Sequence, residues 1–110
     1  MQTGEALTAL TALAHSTRLD AYRMLIRAEP DGLSTGQMVE ATGLSQSTFS
    51  SQLAILVAAG LVAPEKHGRQ MIHRADIGRL RELMLFLAKD CCAGRADLCA
   101  PLVAELADCC

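Results

Sequence analysis

The clearest ordering of apolar and polar positions lies between Leu33 and Val62. Ser34 and Gln37 have the S-x-x-Q spacing of a capping box, which predicts a helix starting near Thr35 with Met38, Val39 and Ala41 facing inward. Gly43 should end it, because glycine enters the left-handed conformation after a helix without steric penalty. Ser45 can then cap a second helix from Gln46, in which Phe49, Leu53, Leu56 and Val57 fall at i, i+4, i+7 and i+8 and make one buried stripe. The other face at its start carries Gln46, Ser47, Thr48, Ser50, Ser51 and Gln52. Short hydrogen-bonding side chains at an exposed helix start suit the DNA major groove. They reach base edges there, while the free N–H groups of the helix start meet phosphate. The same polar face also fits the solvated side of an ordinary helical hairpin.

The residues after the helical hairpin favour the DNA reading. Leu61 to His67 and Gln70 to Ala75 are strand-like runs joined by a turn at Gly68, so the helix pair leads into a β-hairpin. That order predicts a winged helix-turn-helix, mainly α with a β-hairpin wing. The β-hairpin carries Lys66, His67, Arg69, His73 and Arg74 against one acid, Glu65. Cations on a protruding loop grip the phosphate backbone. His67 and His73 read as solvent-facing.

The flanks are helical. Leu7, Leu10, Leu13 and Ala14 share one face of a first helix, and His15 packs or caps where it meets the second. Ser16 is the expected N-cap of that second helix, whose inner stripe is Leu19, Tyr22, Leu25 and Ile26, with Arg18 and Arg23 on a solvated face. Glu29-Pro30-Asp31-Gly32 ends it with turn residues. After the wing, Asp76 should cap a helix with Ile77, Leu80, Leu83, Met84 and Leu87 in line and Leu85 and Phe86 widening the apolar face. A surface that apolar suits a two-fold dimer interface as well as a core. Gly94 is expected to end this helix beyond Cys91 and Cys92, and Pro101 to sit in the first turn of a last helix from about Ala100 to Asp108.

Length and composition fit one winged-helix and dimerisation domain (residues 1–90) with a cysteine-rich segment after it (residues 91–110). Hydrophobic residues make up 51% and aromatics 3%, so Leu, Ala, Val, Ile and Met must build the interior. The net charge of −2 makes any basic surface local. Part of the acidity lies at the end of the chain, where Asp90, Asp97, Glu105 and Asp108 face only Arg95. No signal peptide is read at the N-terminus, and the longest apolar run, Leu83 to Ala88, is too short to span a membrane. A cytoplasmic protein with reduced thiols is expected.

Three stretches carry a family resemblance. Ala12-Leu13-Ala14-His15-Ser16-Thr17-Arg18-Leu19, Gly43-Leu44-Ser45-Gln46-Ser47-Thr48-Phe49-Ser50 and Ala59-Gly60-Leu61-Val62 resemble the ArsR/SmtB repressors that respond to metals and metalloids, over about residues 7 to 88. The resemblance implies a homodimer through the first and last helices, bound to double-stranded operator DNA when ligand-free and released by an inducer. It places the DNA-reading positions at Ser45 to Gln52. Ser51 departs from the pattern, which often has a basic residue there, and so shifts phosphate contact toward Lys66, His67 and Arg69 of the wing. Two familiar sensor sites are missing. Ser34-Thr35-Gly36-Gln37 stands where a Cys-x-Cys would be, and Asp76-Ile77-Gly78 with no histidine beyond His73 cannot supply the Asp-x-His zinc pattern.

All five cysteines, Cys91, Cys92, Cys99, Cys109 and Cys110, lie in the last 20 residues. Thiolates without histidine select soft ions. Trivalent arsenic or antimony takes three sulfurs, zinc or cadmium four, and five thiols do not separate these by count, although the lack of a Cys-x-x-Cys speaks against structural zinc. No permanently bound cofactor is implied; the metalloid is an inducer. Either Cys91 and Cys92 join Cys99 of the same chain, or Cys99 meets Cys109 or Cys110 of the partner subunit. A disulfide switch from the same thiols is the rival in another class. An enzyme is not expected, because no nucleophile has a base beside it.

Overall fold

The computed structural model describes residues 1–89 and 96–109, with side chains for 1–89 and 100–107. Its elements run α1 (Thr3–Leu13), α2 (Ser16–Arg27), β1 (Leu33–Ser34), α3 (Thr35–Thr42), α4 (Gln46–Ala58), β2 (Val62–His67), β3 (Gln70–Ala75), α5 (Ile77–Ala88) and α6 (Ala96–Cys109). The winged helix-turn-helix is formed as expected.

Its helical hairpin follows from local chemistry. The Ser34 N–H donates to Gln37 Oε1 at 2.8 Å and the Gln37 N–H returns a bond to Ser34 Oγ at 3.1 Å, closing the capping box. Gly43 ends α3 in the left-handed region at φ 72°, and the Thr48 N–H donates to Ser45 Oγ at 3.2 Å to start α4. Phe49, Leu53 and Leu56 are buried and Val57 is half-buried, against Met38 of α3 and Leu25 of α2. Phe49 has no exposed surface, so its truncation to alanine would cost about 3–5 kcal/mol.

The wing holds one strand more than expected. β2 and β3 pair antiparallel from Val62↔Ala75 to His67↔Gln70, and β1 adds to the other edge of β3 through Leu33↔His73 and Ser34↔Ile72. β1 is two residues long, too short for periodicity to reveal. Its consequence is large, because it joins the start of α3 to the base of the wing.

Several expected faces are corrected. In α1 the buried residues are Ala6, Ala9 and Ala12, while Leu7 is 58% and Leu10 38% exposed. The alanines let α1 lie close on α2 and α4, and this turns the leucines outward. In α2 the inner face is Ala21, Tyr22 and Leu25, with Leu19 exposed, and His15 replaces Ser16 as N-cap, its Nδ1 accepting from the Thr17 N–H at 3.2 Å. Ala41 of α3 is exposed. In α5, capped by Asp76 as expected, only Leu83 is buried; Met84, Leu85, Phe86 and Leu87 are exposed. α5 runs to Ala88, and the end expected at Gly94 lies outside the described residues. α6 starts at Ala96 and not near Ala100, which puts Pro101 inside the helix. The missing N–H there removes the bond that would reach the carbonyl of Asp97. Among the described residues no helix is long and apolar enough to cross a membrane.

Candidate nucleic-acid interface

The start of α4 is open. Gln46, Ser47, Thr48, Ser50 and Ser51 are exposed, and Ser45 precedes them as the cap. Some of their hydrogen-bonding capacity is already used. The Ser45 hydroxyl donates to Thr48 Oγ1 at 2.8 Å, and the Ser51 hydroxyl turns back to the Ser47 carbonyl at 3.0 Å. Among the described residues Gln46 and Ser50 make no side-chain hydrogen bond within the protein, so their polar groups are open at the surface.

Gln52 differs from its neighbours. It is half-buried at the flank of α4, and its Oε1 accepts from Arg18 Nη1 at 2.7 Å. Arg18 carries only donors, so the atom it meets must be the amide oxygen. The amide nitrogen of Gln52 is what remains for an outside partner. Arg18 itself is not on the solvated face that its sequence position predicts, since its Nε donates to the Ala12 carbonyl at 2.6 Å. No local signal marks this residue, because its partner in α4 is 34 positions away.

In the wing Lys66, His67 and Arg69 are exposed. His67 Nε2 lies 3.2 Å from Glu65 Oε2, whereas Lys66 and Arg69 have no carboxylate partner among the described residues. Arg74 is set apart from this group. Its Nε and Nη2 donate to the two oxygens of Glu29 at 3.2 and 2.8 Å, and Nη1 lies 3.7 Å from Glu65, which together raise its pKa, the Glu29 hydrogen bond most. Arg74 therefore ties the wing to the turn after α2, which Lys66 and Arg69 do not.

His73 is also corrected. It is 6% exposed, not solvent-facing, and its Nε2 lies 2.8 Å from Thr35 Oγ1 at the start of α3. Its Nδ1 is buried with no partner. A second ring proton would have no acceptor there, and burial lowers the pKa. Unfolding frees a histidine that protonates below about pH 6.5, while the folded form stays neutral to lower pH, so stability falls as pH drops through that range. We expect His73→Gln to flatten the fall in melting temperature between pH 7 and pH 5. Parallel curves for the two proteins would clear His73 of this role.

The cysteine candidates all follow the wing in the chain. Cys91, Cys92 and Cys110 lie outside the described residues. Cys99 and Cys109 are both in α6, ten positions apart on one continuous helix, hence about 15 Å apart along its axis. Among the described residues no three His, Cys, Asp or Glu side chains converge to hold a metal ion. Leu102, Val103 and Leu106 of α6 line an open apolar groove with Leu80, Met84 and Leu87 of α5.

Residues 13–65, from the end of α1 into β2, match a family described as a helix-turn-helix domain. A biofilm growth-associated repressor from Xylella fastidiosa (strain 9a5c) is 28% identical over 89 residues, 81% of this chain and 75% of that one. An ArsR-like transcriptional regulator from Rhodococcus sp. RHA1 superposes with a TM-score of 0.71 at 25% identity, over 93% of this chain and 90% of that one. The homodimeric winged helix-turn-helix DNA-binding domain of Mb0332 from Mycobacterium bovis, a possible ArsR-family transcriptional regulator, superposes with a TM-score of 0.61 at 27% identity, over 79% of this chain and 81% of that one. These relatives are named as regulators and a repressor, and this chain is a winged helix-turn-helix protein with the fold of the ArsR-like regulators on which it superposes.

Proposed function

We propose that the chain is a dimeric transcriptional repressor that binds operator DNA through the start of α4 and the wing, and leaves it when trivalent arsenic or antimony binds the thiolates of its C-terminal segment. The confinement of all five cysteines to the last 20 residues, away from the DNA-reading elements, carries the sensor reading. Open side chains at the start of α4, with Lys66 and Arg69 exposed on the wing, support the DNA reading. A second copy is supported by the exposed apolar surface on α1, α5 and α6, where Leu7, Leu85 and Val103 are each more than half exposed. The Mb0332 domain, described as homodimeric, supports it as well.

Cys99 is central to the sensor. The length of α6 keeps Cys99 and Cys109 of one chain from sharing an ion. Cys99 then works either with Cys91 and Cys92 of its own chain or with Cys109 or Cys110 of the partner subunit. In the second arrangement two α6 helices cross antiparallel, which brings the early cysteine of each to the late ones of the other. Each thiol that ligates gives up its proton and contributes a thiolate to the pyramidal three-sulfur set these elements prefer. Ligation fixes the segment beside the dimer surface and alters the relation between the two wings. Linkage then requires DNA to weaken metalloid binding by the same factor.

Native mass spectrometry of the phosphine-reduced protein with arsenite, antimonite, zinc and cadmium in turn tests this without an operator. A dimer that takes up two trivalent metalloids, with one proton lost per thiolate engaged, is the expected result. A dimer that ignores metalloids and gains disulfides with peroxide would replace this reading with a thiol redox switch. Uptake of zinc or cadmium alone would make it a soft-metal sensor.

A further inference from the structure

One side chain joins the helix that faces the proposed dimer surface to the helix that faces DNA. Arg18, near the start of α2, points its guanidinium into the gap between α1 and α4. Nε donates to the Ala12 carbonyl at 2.6 Å, Nη2 to the Thr11 carbonyl at 3.4 Å, and Nη1 to Gln52 Oε1 at 2.7 Å. The two carbonyls belong to the last turn of α1, where the helix dipole is negative; the Thr11 carbonyl also accepts from the Ala14 N–H at 3.2 Å. α1 has no basic residue in that turn, so the cation it needs arrives from the next helix. The third bond is the unusual one, because it reaches 34 residues onward to the side chain of Gln52.

We propose that Arg18 is a positioning residue for DNA recognition: it fastens Gln52, and with it the polar start of α4, to the carboxyl end of α1. The inference rests on the reading of this chain as a DNA-binding dimer. Helix packing alone leaves α4 free to roll by small amounts on Phe49, Leu53 and Leu56, since apolar contact has no direction. A planar fork with three bonded partners does have direction. It sets the rotation of α4, and therefore where Gln46, Ser47 and Ser50 point, relative to the helix whose leucines face outward. A lysine at this position could satisfy one carbonyl but could not hold all three acceptors in one plane.

The test uses the full-length protein and a duplex enriched from a randomised pool by the wild type, beside a scrambled duplex of equal length and composition. Binding to both is measured by fluorescence anisotropy for wild type, Arg18→Lys, Arg18→Ala, Gln52→Ala and the Arg18→Ala/Gln52→Ala double variant, with thermal melts to establish folding. We expect each single variant to weaken binding to the enriched duplex on the order of tenfold, the worth of one well-made base contact. The two Arg18 single variants should hold the scrambled duplex as before, because Arg18 is bonded inside the protein and does not meet phosphate. The double variant should be no worse than the singles, as expected for two residues acting through one bond. Equal losses on both duplexes, or single effects that multiply in the double variant, would overturn the proposal. If Arg18→Ala does not fold, Arg18→Lys and Gln52→Ala decide alone, and full selectivity in either is enough to reject it. A wild-type protein that enriches no duplex would instead remove the DNA reading on which the inference rests.

Discussion

A Cys99→Ser protein should bind operator DNA as the wild type does and stay bound when arsenite or antimonite is added. Cys99 is the thiol common to both ligand arrangements open to this chain. A serine hydroxyl is no substitute for a thiolate toward a soft metalloid. In the wild type, an inducer that lowers operator affinity by an ordinary allosteric factor changes it on the order of 5- to 150-fold. In Cys99→Ser that factor should fall to about one. Fluorescence anisotropy of an enriched duplex, titrated with reduced protein with and without metalloid, measures both numbers. A Cys99→Ser protein that still releases DNA on arsenite would sink the sensor model. A protein carrying both Cys109→Ser and Cys110→Ser then separates the alternatives: loss of response points to thiols shared between subunits, a retained response to Cys91, Cys92 and Cys99 within one chain.

The second large effect concerns stability. Gly32 sits at φ +74°, and a Cβ there would lie 2.6 Å from the His73 carbonyl oxygen, 2.8 Å from Arg74 Cγ and 2.9 Å from Ile72 Cγ2. Two costs combine. The left-handed backbone costs a non-glycine residue about 1–2 kcal/mol, and forcing a methyl group against packed atoms costs about 1–3 kcal/mol more. The carbonyl cannot step aside, because residue 73 is paired across the sheet with Leu33. Gly32→Ala should therefore lose about 2–5 kcal/mol, much of the margin of a domain this size, and its melting temperature should fall by about 10 °C or more. Gly43 provides the comparison. It has a similar φ of +72° but nothing within 4 Å of an added Cβ, so Gly43→Ala should show the backbone cost alone. Melts of the two variants at one protomer concentration check this; equal shifts would mean that the approach of residue 32 to β3 has been overestimated.

Much of the architecture is legible in the chain itself. The capping box at Ser34 and Gln37, the left-handed end at Gly43, the cap at Ser45, the two wing strands and the cap at Asp76 are all present where the residues imply them. Each depends on hydrogen bonds or turn conformations spanning a few residues, so the information is local. The stripe of Phe49, Leu53 and Leu56 is legible too, because a polar run beside it leaves one face to bury.

Where a helix is apolar on more than one side, its residues do not say which side goes in. α1 offers the core a row of alanines or a row of leucines, and closeness to α2 and α4 selects the alanines. α5 likewise keeps Leu83 inside and leaves Met84, Leu85 and Leu87 outside, on the surface that a second copy would cover. The charged and titrating residues divide in the same way. Arg18, His73 and Arg74 resemble solvated side chains in the sequence because their partners, Gln52, Thr35 and Glu29, lie between 34 and 45 positions away in the chain.

The sequence by itself therefore determined the helix-turn-helix, the wing, the polar face at Ser45 to Ser51 and the gathering of all five cysteines into the last 20 residues. These come from near-neighbour chemistry and from residue type. Only the tertiary structure decided that Arg74 pairs with Glu29 and Glu65 while Lys66 and Arg69 have no carboxylate partner among the described residues, that β1 fastens α3 to the wing, and that Arg18 binds α1 to α4. Those outcomes depend on which distant groups come within hydrogen-bonding distance, and that distance is set when the helices pack.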